Sequence, residues 1–257
     1  MVIRSAGNVS NFMSEWTASK VDRLGDQLRQ RQFTPALLVN LDSYRNSFVP
    51  AYETAVSRLK QLDYAVTGRP AKSTAALVDK LNRQHVRLSQ VQDIAGCRVI
   101  VEDIYLQNRA IPTLEVFLGT PAIYDRRSQS SHGYRAVHLV ATVGGRKVEI
   151  QLRTELQHLW AEISEKLADT VDPRIKYGDG DKEANELLAN LSLAISKVEQ
   201  EEVERARAFE LLRSADASQK KHFKKAIRSA ERNFFAQRSR VIQLLTDIHE
   251  ELHRKAA

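Results

Sequence analysis

Two acidic residues stand where a sheet would bring them together. Asp93 lies just ahead of a compact apolar run, Cys97, Val99, Ile100 and Val101, and Glu149 lies within an alternating segment. Two carboxylates at one sheet edge repel, and a bound Mg2+ with phosphate oxygens would relieve that repulsion. The simpler reading of the spacing pairs each acid with an arginine at the surface. Around them Arg69, Lys72, Arg98, Arg126, Arg127, Arg135 and Arg153 fall in loops and strand ends, grouped near Gly68, Gly96 and Gly133. Guanidinium planes clamp phosphates or stack on purines, lysine gives phosphate a compact charge, and glycine lets backbone approach a ligand closely. Tyr134, beside Gly133, either stacks on a base or is an ordinary strand-edge aromatic. His138 and His158, each taken singly, fit structural roles as well as catalytic ones. These residues suit a polyanion such as a nucleotide. No Walker A loop, dinucleotide fingerprint or histidine metal motif is present.

The elements that must hold these groups follow from periodicity. Val137, Leu139, Ala141 and Val143, then Val148, Ile150 and Leu152, alternate on either side of Gly144-Gly145, which predicts a hairpin with a tight glycine turn. Its intervening positions carry His138, Glu149, Gln151 and Arg153. Upstream, Ser14 to Gln32 reads as a polar helix, and the residues through Asn11 as frayed. Thr34 and Pro35 suit the N-cap and N1 of a helix. Leu38, Leu41, Tyr44, Phe48, Tyr52, Val56 and Leu59 then recur at helical spacing to about Leu62, predicting one long, kinked helix across Pro50. Val66 to Pro70 reads as a short strand and turn, Ser73 to Asn82 as a helix capped by Ser73, and Ile104 to Leu118 as a crossover helix. Ala122 to Asp125 is predicted as a strand, Arg126 to Ser131 as a polar loop, and Glu155 to Ala168 as a helix.

Gly178 to Asp181 reads as a boundary, beyond which no glycine or proline follows Gly180 and nearly every residue favours helix. Three segments are expected: 1-34, polar and helical; 35-180, the α/β domain; and 181-257, a helical extension. Within the extension Glu199, Glu201, Glu202 and Glu204 are segregated from Lys220, Lys221, Lys224, Lys225, Arg228 and Arg232. That pattern fits a solvated helical hairpin pairing its own charges, or a surface for RNA or a protein partner.

With 257 residues, 42% of them apolar, the chain can bury a substantial core. Its net charge of +7 favours polyanionic ligands without proving them. The single cysteine, Cys97, excludes an intrachain disulfide and a multi-cysteine zinc site, so a reducing, cytoplasmic location is expected. No apolar run approaches the roughly 20 residues that span a bilayer, and the first residues hold no apolar signal core.

Four segments together resemble the synthetase domain of the RelA/SpoT family, in the manner of small alarmone synthetases. They are Val66-Thr-Gly-Arg-Pro-Ala-Lys-Ser73, Asp93-Ile-Ala-Gly-Cys-Arg-Val-Ile-Val101, His132-Gly-Tyr-Arg-Ala-Val-His138 and Val148-Glu-Ile-Gln-Leu-Arg-Thr154, followed by Leu159-Trp-Ala-Glu162. The resemblance spans about Leu41 to Lys197 and implies a nucleotidyltransferase-like α/β (α+β) fold, a mixed sheet flanked by helices. It implies transfer of the β,γ-pyrophosphate of ATP to a ribose 3′-hydroxyl, usually of GDP or GTP, with Mg2+. Carried over, Arg69 and Arg98 would sandwich adenine, and Lys72 and Ser73 would hold the ATP phosphates. Asp93 and Glu149 would bind Mg2+, with Glu149 accepting the hydroxyl proton. Tyr134 would stack on the acceptor base, while Arg135, His138, Gln151, Arg153 and His158 would position the acceptor.

Several positions depart from that family. Gln129, Ser130, Ser131 and His132 stand where small synthetases commonly carry Lys or Arg, thinning the basic patch, with Arg126 and Arg127 as substitutes. His158 replaces Asn or Asp, and Ala71 is an extra residue between Arg69 and Lys72. Acceptor identity therefore stays open among guanosine nucleotides, adenosine nucleotides and the 3′ end of tRNA, the last as in family toxins. A degenerate RNA- or protein-binding module is the non-enzymatic alternative. Through the C-terminal helices a homo-oligomer or an antitoxin partner is compatible; no membrane association is expected.

Overall fold

The computed structural model of the chain describes residues 16–31, 33–128 and 130–255. The expectations for the first residues, for Gln129 and for the side chains of Lys220, Lys221, Lys224 and Lys225 lie outside the described part. Helix α1 (Ala18–Arg29) is capped by Thr17, and α2 (Pro35–Asn46) starts as expected, with Thr34 Oγ1 accepting from Leu37 N–H at 3.2 Å and Pro35 in the first turn. The single long helix predicted to Leu62 is instead two, α2 and α3 (Val49–Gln61). Pro50 has no N–H and sits in the first turn of α3, where none is needed, while the Ser47 hydroxyl donates to Tyr44 C=O at 2.6 Å and closes α2.

Strand β1 (Val66–Arg69), helix α4 (Thr74–Gln84, capped by Ser73), strand β2 (Ala95–Val101), helix α5 (Ile104–Leu118) and strand β3 (Ala122–Asp125) follow. The hairpin is β4 (Val137–Val143) and β5 (Arg146–Thr154). Gly144 and Gly145 both have positive φ, +52° and +73°, the two-residue turn whose twist suits a hairpin and which only glycine-like residues adopt cheaply. The five strands form a mixed sheet flanked by helices, in the order β1-β2-β5-β4-β3. Helix α6 (Glu155–Thr170), a 3-10 turn (Pro173–Tyr177), α7 (Lys182–Ser214) and α8 (Ala217–Lys255) complete the described chain. None of its helices is long and apolar enough to cross a membrane.

The chain divides into two compact units, Met1–Val99 with Thr113–Tyr124 and His138–Gln151, and Ile100–Pro112 with Asp125–Val137 and Leu152–Ala257. In the first, Leu24, Leu28, Leu41, Leu59, Leu77 and Leu81 from four helices are buried, as are Val148 and Ile150 of β5. In the second, Trp160, Ile163 and Leu167 of α6 pack with Leu188, Leu191, Ile195 and Val198 of α7 and with Phe234 and Leu245 of α8.

Two acids in the acidic stretch of α7 leave the solvated face its composition suggests, while Glu204 stays exposed. Glu199 and Glu202 are 2% and 3% exposed, because they continue the stripe of Leu188, Leu191, Ile195 and Val198 at helical spacing. Arg238 of α8 pairs with Glu202 at 3.0 Å and with Glu155 at 3.2 Å, so part of the predicted self-pairing between the last helices is present.

Candidate active site

In the first unit β1 and β2 run antiparallel, with Thr67 opposite Arg98 and Arg69 opposite Gly96. Residues two apart on a strand share a face, so Arg69 and Arg98 lie diagonally on one side of the pair, and Gly96 adds no side chain between them. Arg69 is exposed and Arg98 half-buried. This register gives two guanidinium groups a common open face at one end of the sheet.

The chain then leaves β1, and Lys72 N–H donates to Ile94 C=O at 2.7 Å, tying this loop to the residue before β2. The tie places Lys72 Nζ 2.7 Å from Asp93 Oδ2, and Lys80 Nζ on α4 reaches Oδ1 of the same carboxylate at 2.7 Å. Burial pushes the Asp93 pKa up, but the charges and hydrogen bonds of Lys72 and Lys80 outweigh it and hold it at about 2. Asp93 is thus paired with two lysines, not with the surface arginine that the spacing alone suggested. Ser73 Oγ accepts from Ala76 N–H at 3.3 Å, so the hydroxyl beside Lys72 caps α4 and the free N–H groups of that helix start next to the lysine.

Glu149 lies on the polar face of β5 with both oxygens engaged. His138 Nδ1 of β4 is 2.9 Å from Oε1, and Gln151 Nε2 donates to Oε2 at 2.9 Å. An ionised carboxylate only accepts, which puts the shared proton on Nδ1 and directs the imidazole. Burial raises the Glu149 pKa, but the hydrogen bond and charge of His138 and the Gln151 amide pull it below the ordinary carboxylate range, against the raising field of Asp93. The two carboxylates therefore sense each other within one unit. Cys97 is buried in the same unit, and burial with the Glu149 field pushes its thiol up to about 12, leaving it protonated and unreactive.

Among the described residues no three His, Cys, Asp or Glu side chains gather as a complete metal cage. Two hard carboxylates without a third protein ligand fit Mg2+, which binds through one or two carboxylates and keeps the rest of its shell for water and phosphate oxygens.

The remaining predicted residues lie in the second unit. His132 and Gly133 turn the chain with φ of +53° and +87°, and Tyr134 N–H donates back to Ser131 C=O at 2.9 Å. A Cβ at Gly133 would lie 2.8 Å from Trp160 Cζ2 and 3.2 Å from Ser192 Cβ. Gly133→Ala is expected to destabilise the chain by about 1–3 kcal/mol through overpacking and backbone strain. An unchanged urea midpoint would show that the turn relaxes freely. The Arg153 guanidinium carbon lies 5.3 Å from the centre of the Tyr134 ring, its Nη2 donates to Tyr134 Oη at 3.2 Å, and the Trp160 ring is 6.3 Å from that of Tyr134.

Arg135 reaches Glu199, with Nη2 at 2.8 Å and Nε at 3.2 Å, and donates from Nη1 to Arg127 C=O. Arg127 in turn is engaged by Asp125, Asn108 and Gln107. Of the two substitutes for the thinned basic patch, Arg127 is therefore already committed and Arg126 is exposed. His158 is half-buried on α6, 3.7 Å from Glu162.

Sequence reasoning missed Lys80 and Glu199. Lys80 follows Leu77 by three positions and precedes Leu81, so a charge on the buried stripe of α4 was its available signal. Glu199 had the same signal on α7. The structure thus gathers Arg69, Lys72, Ser73, Asp93, Arg98, His138, Glu149 and Gln151 in one unit, and Tyr134, Arg135, Arg153 and His158 in the other.

The first unit thus holds two arginines on one face of β1 and β2, an aspartate clamped by two lysines and a second carboxylate on the central strand β5. Residues 68–169 match the model of the region found in RelA and SpoT proteins. That match, 102 of the 257 residues, shows a RelA/SpoT region in the middle of the chain. An uncharacterized protein of Mycobacterium tuberculosis is 35% identical over 177 residues, which cover 64% of this chain and 63% of that protein. The chain thus spans somewhat under two thirds of the length of the mycobacterial relative. Among solved structures, the crystal structure of small alarmone synthetase 1 from Bacillus subtilis is 25% identical, covering 64% of this chain and 97% of that one, with a TM-score of 0.49. A GTP pyrophosphokinase family protein from Streptococcus pneumoniae is 21% identical, covering 69% and 96%, also with a TM-score of 0.49.

Proposed function

We propose that the protein transfers the β,γ-pyrophosphate of ATP to the ribose 3′-hydroxyl of GDP or GTP. The observation that carries this reading is Asp93 held between Lys72 and Lys80 in the same unit as Glu149, within the RelA/SpoT region. In the reaction the acceptor O3′ attacks the β-phosphorus of ATP and the bond from that phosphorus to the α,β-bridging oxygen breaks. AMP leaves, and the hydroxyl proton passes to Glu149. Such transfer needs little covalent chemistry from the protein and depends on in-line positioning and on neutralising charge.

Each residue has a part in that positioning. Arg69 and Arg98, on one face of β1 and β2, stack on either side of adenine. Lys72, Lys80 and the start of α4 meet the triphosphate, so the two ammonium groups that hold Asp93 exchange some of that contact for phosphate. His138 and Gln151 orient the Glu149 carboxylate toward the 3′-hydroxyl. Glu149 is ionised across the neutral range, so it is a ready though weak proton acceptor, suited to a proton that leaves late. Asp93 and Glu149 are the residues that would hold Mg2+. Bound there, the cation would supply charge neutralisation for the phosphate oxygens. Tyr134 offers its ring to the acceptor base, with Arg153 beside it.

The test is incubation of the pure protein with γ-labelled ATP and, in separate reactions, GDP, GTP, ATP and deacylated tRNA. Label is expected on GDP and GTP, with AMP released in equal amount. Label on tRNA alone would replace the nucleotide acceptor by an RNA 3′ end. Label on none of them would overturn transfer and favour a binding module.

A further inference from the structure

The buried acid that this chemistry leaves unused is Glu199, on a helix outside the RelA/SpoT region. Its Oε2 accepts both contacts from Arg135, next to Tyr134, and its Oε1 accepts from Thr154 Oγ1 at 3.1 Å and from Gln157 Nε2 at 2.6 Å, next to Arg153. Two turns earlier on the same face of α7, Ser192 Oγ donates to Gly133 C=O at 2.8 Å. Below that, Leu188 C=O accepts from Trp160 Nε1 at 2.8 Å, and the Trp160 ring meets Gly133. Within the second unit, one face of α7 thus bonds to the segments that carry Tyr134, Arg135, Arg153 and His158.

We propose that α7 is the floor of the acceptor site, with Glu199 and Ser192 as positioning residues that hold the His132 to Arg135 turn against the end of β5. The proposal rests on the nucleotide-transfer reading above and assigns part of the C-terminal helical segment a role in acceptor binding. Arg135 is then a strut and not a direct ligand: Nε and Nη2 go to Glu199 and Nη1 to Arg127 C=O, so its guanidinium is spent inside the fold. The charge balance is local. Glu199 is 2% exposed and Arg135 is its cation, and a buried pair of this kind is costly to split because the partner is left buried and charged. Such a pair adds little net stability over a well-packed apolar substitute, but it fixes the register of what it joins. Here it joins the turn carrying Tyr134 to the N-cap of α6.

Glu202 supplies the control. It is as deeply buried on the same helix, but it binds Ile104 N–H and Arg238 instead. Glu199→Gln is expected to raise the KM for GDP by about tenfold, the loss of one hydrogen-bonded charge, with the KM for ATP within about twofold of wild type. Tryptic cleavage after Arg126, Arg127 and Arg135 should accelerate in the same variant. Glu202→Gln should leave both quantities at wild-type values. Glu199→Asp, which keeps the charge one methylene shorter, should recover part of the acceptor affinity. Equal behaviour of Glu199→Gln and Glu202→Gln in the acceptor KM and in the cleavage pattern would overturn the proposal.

If Glu199→Gln fails to fold, Ser192→Ala removes a single hydrogen bond to the turn, and the same pair of measurements decides: a raised acceptor KM with faster cleavage supports α7 as the floor, and wild-type values in both refute it. A wild-type protein that transfers pyrophosphate to no nucleotide would sink the transfer reading. The cleavage comparison would then still decide whether α7 holds the turn.

Discussion

Glu149→Gln is expected to lower pyrophosphate transfer by about 10²- to 10⁴-fold while the chain folds and binds ATP as before. Glutamine keeps the volume and planarity of the side chain, so Val148 and Ile150 on the other face of β5 stay packed. What it loses is the charge and the ability to take a proton. The amide also cannot accept from both His138 and Gln151 as the carboxylate does, so the imidazole loses its orienting partner. The linkage follows the sign of the shift. The folded pKa of Glu149 is depressed, so its stabilising contribution is present above the ordinary glutamate value and fades as pH falls through the lower folded value. Wild-type transfer should therefore lose nothing to Glu149 protonation until pH drops below about 4, the range of an unperturbed glutamate. Single-turnover transfer with labelled ATP, beside thermal melting of both proteins, measures this directly. Near-normal turnover in the variant would remove Glu149 from the proton transfer.

Much of the first unit's candidate site was legible because its signals are local. The hairpin announces itself through alternation and Gly144-Gly145, Ser73 and Thr34 are caps by type and position, and the strand after Asp93 is a compact β-branched run. The carboxylates could be placed near each other for the same reason, since both flank or occupy strands of one sheet. Their partners were not legible. Whether Asp93 met arginine or lysine depended on how the loop after β1 returns to Ile94, a backbone contact between residues far apart in sequence. The split of the long helix at Ser47 was hidden because the apolar period runs through it unbroken and only Pro50 marks it. Glu199 and Glu202 were hidden by the opposite effect. Acidic type argued for solvent, while their period argued for burial, and period won because Arg135 and Arg238 were there to neutralise them. Arg135 and Glu199 are 64 residues apart, beyond any rule of local spacing.

Asp93→Asn is expected to strike both stability and transfer, and the two effects separate with pH. The aspartate is held at about 2, below the 3.8 of an unperturbed group, by Lys72 and Lys80 against the cost of burial. At about 1.4 kcal/mol per unit, that depression corresponds to about 2 kcal/mol at neutral pH, reduced somewhat by the partial exposure of the cluster. Because the folded pKa is the lower one, the stabilisation is full above the unfolded value. It shrinks as pH falls from there through about 2, below which both states are protonated. Asparagine carries none of it and leaves two ammonium groups facing each other across a neutral amide. Urea midpoints should therefore differ most at pH 7, by less at pH 3, and least near the acid limit; a difference that stays constant over that range would show that the lysines do not act through the charge of Asp93. On the proposed reading, transfer should fall by about 10²-fold or more even where the variant is fully folded, because the carboxylate that would hold Mg2+ and that anchors Lys72 and Lys80 is lost. Lys72 and Lys80 would remain free to bind triphosphate, so ATP affinity should change far less than turnover. A variant that loses ATP binding and turnover in the same proportion would show instead that Asp93 serves only to place the lysines.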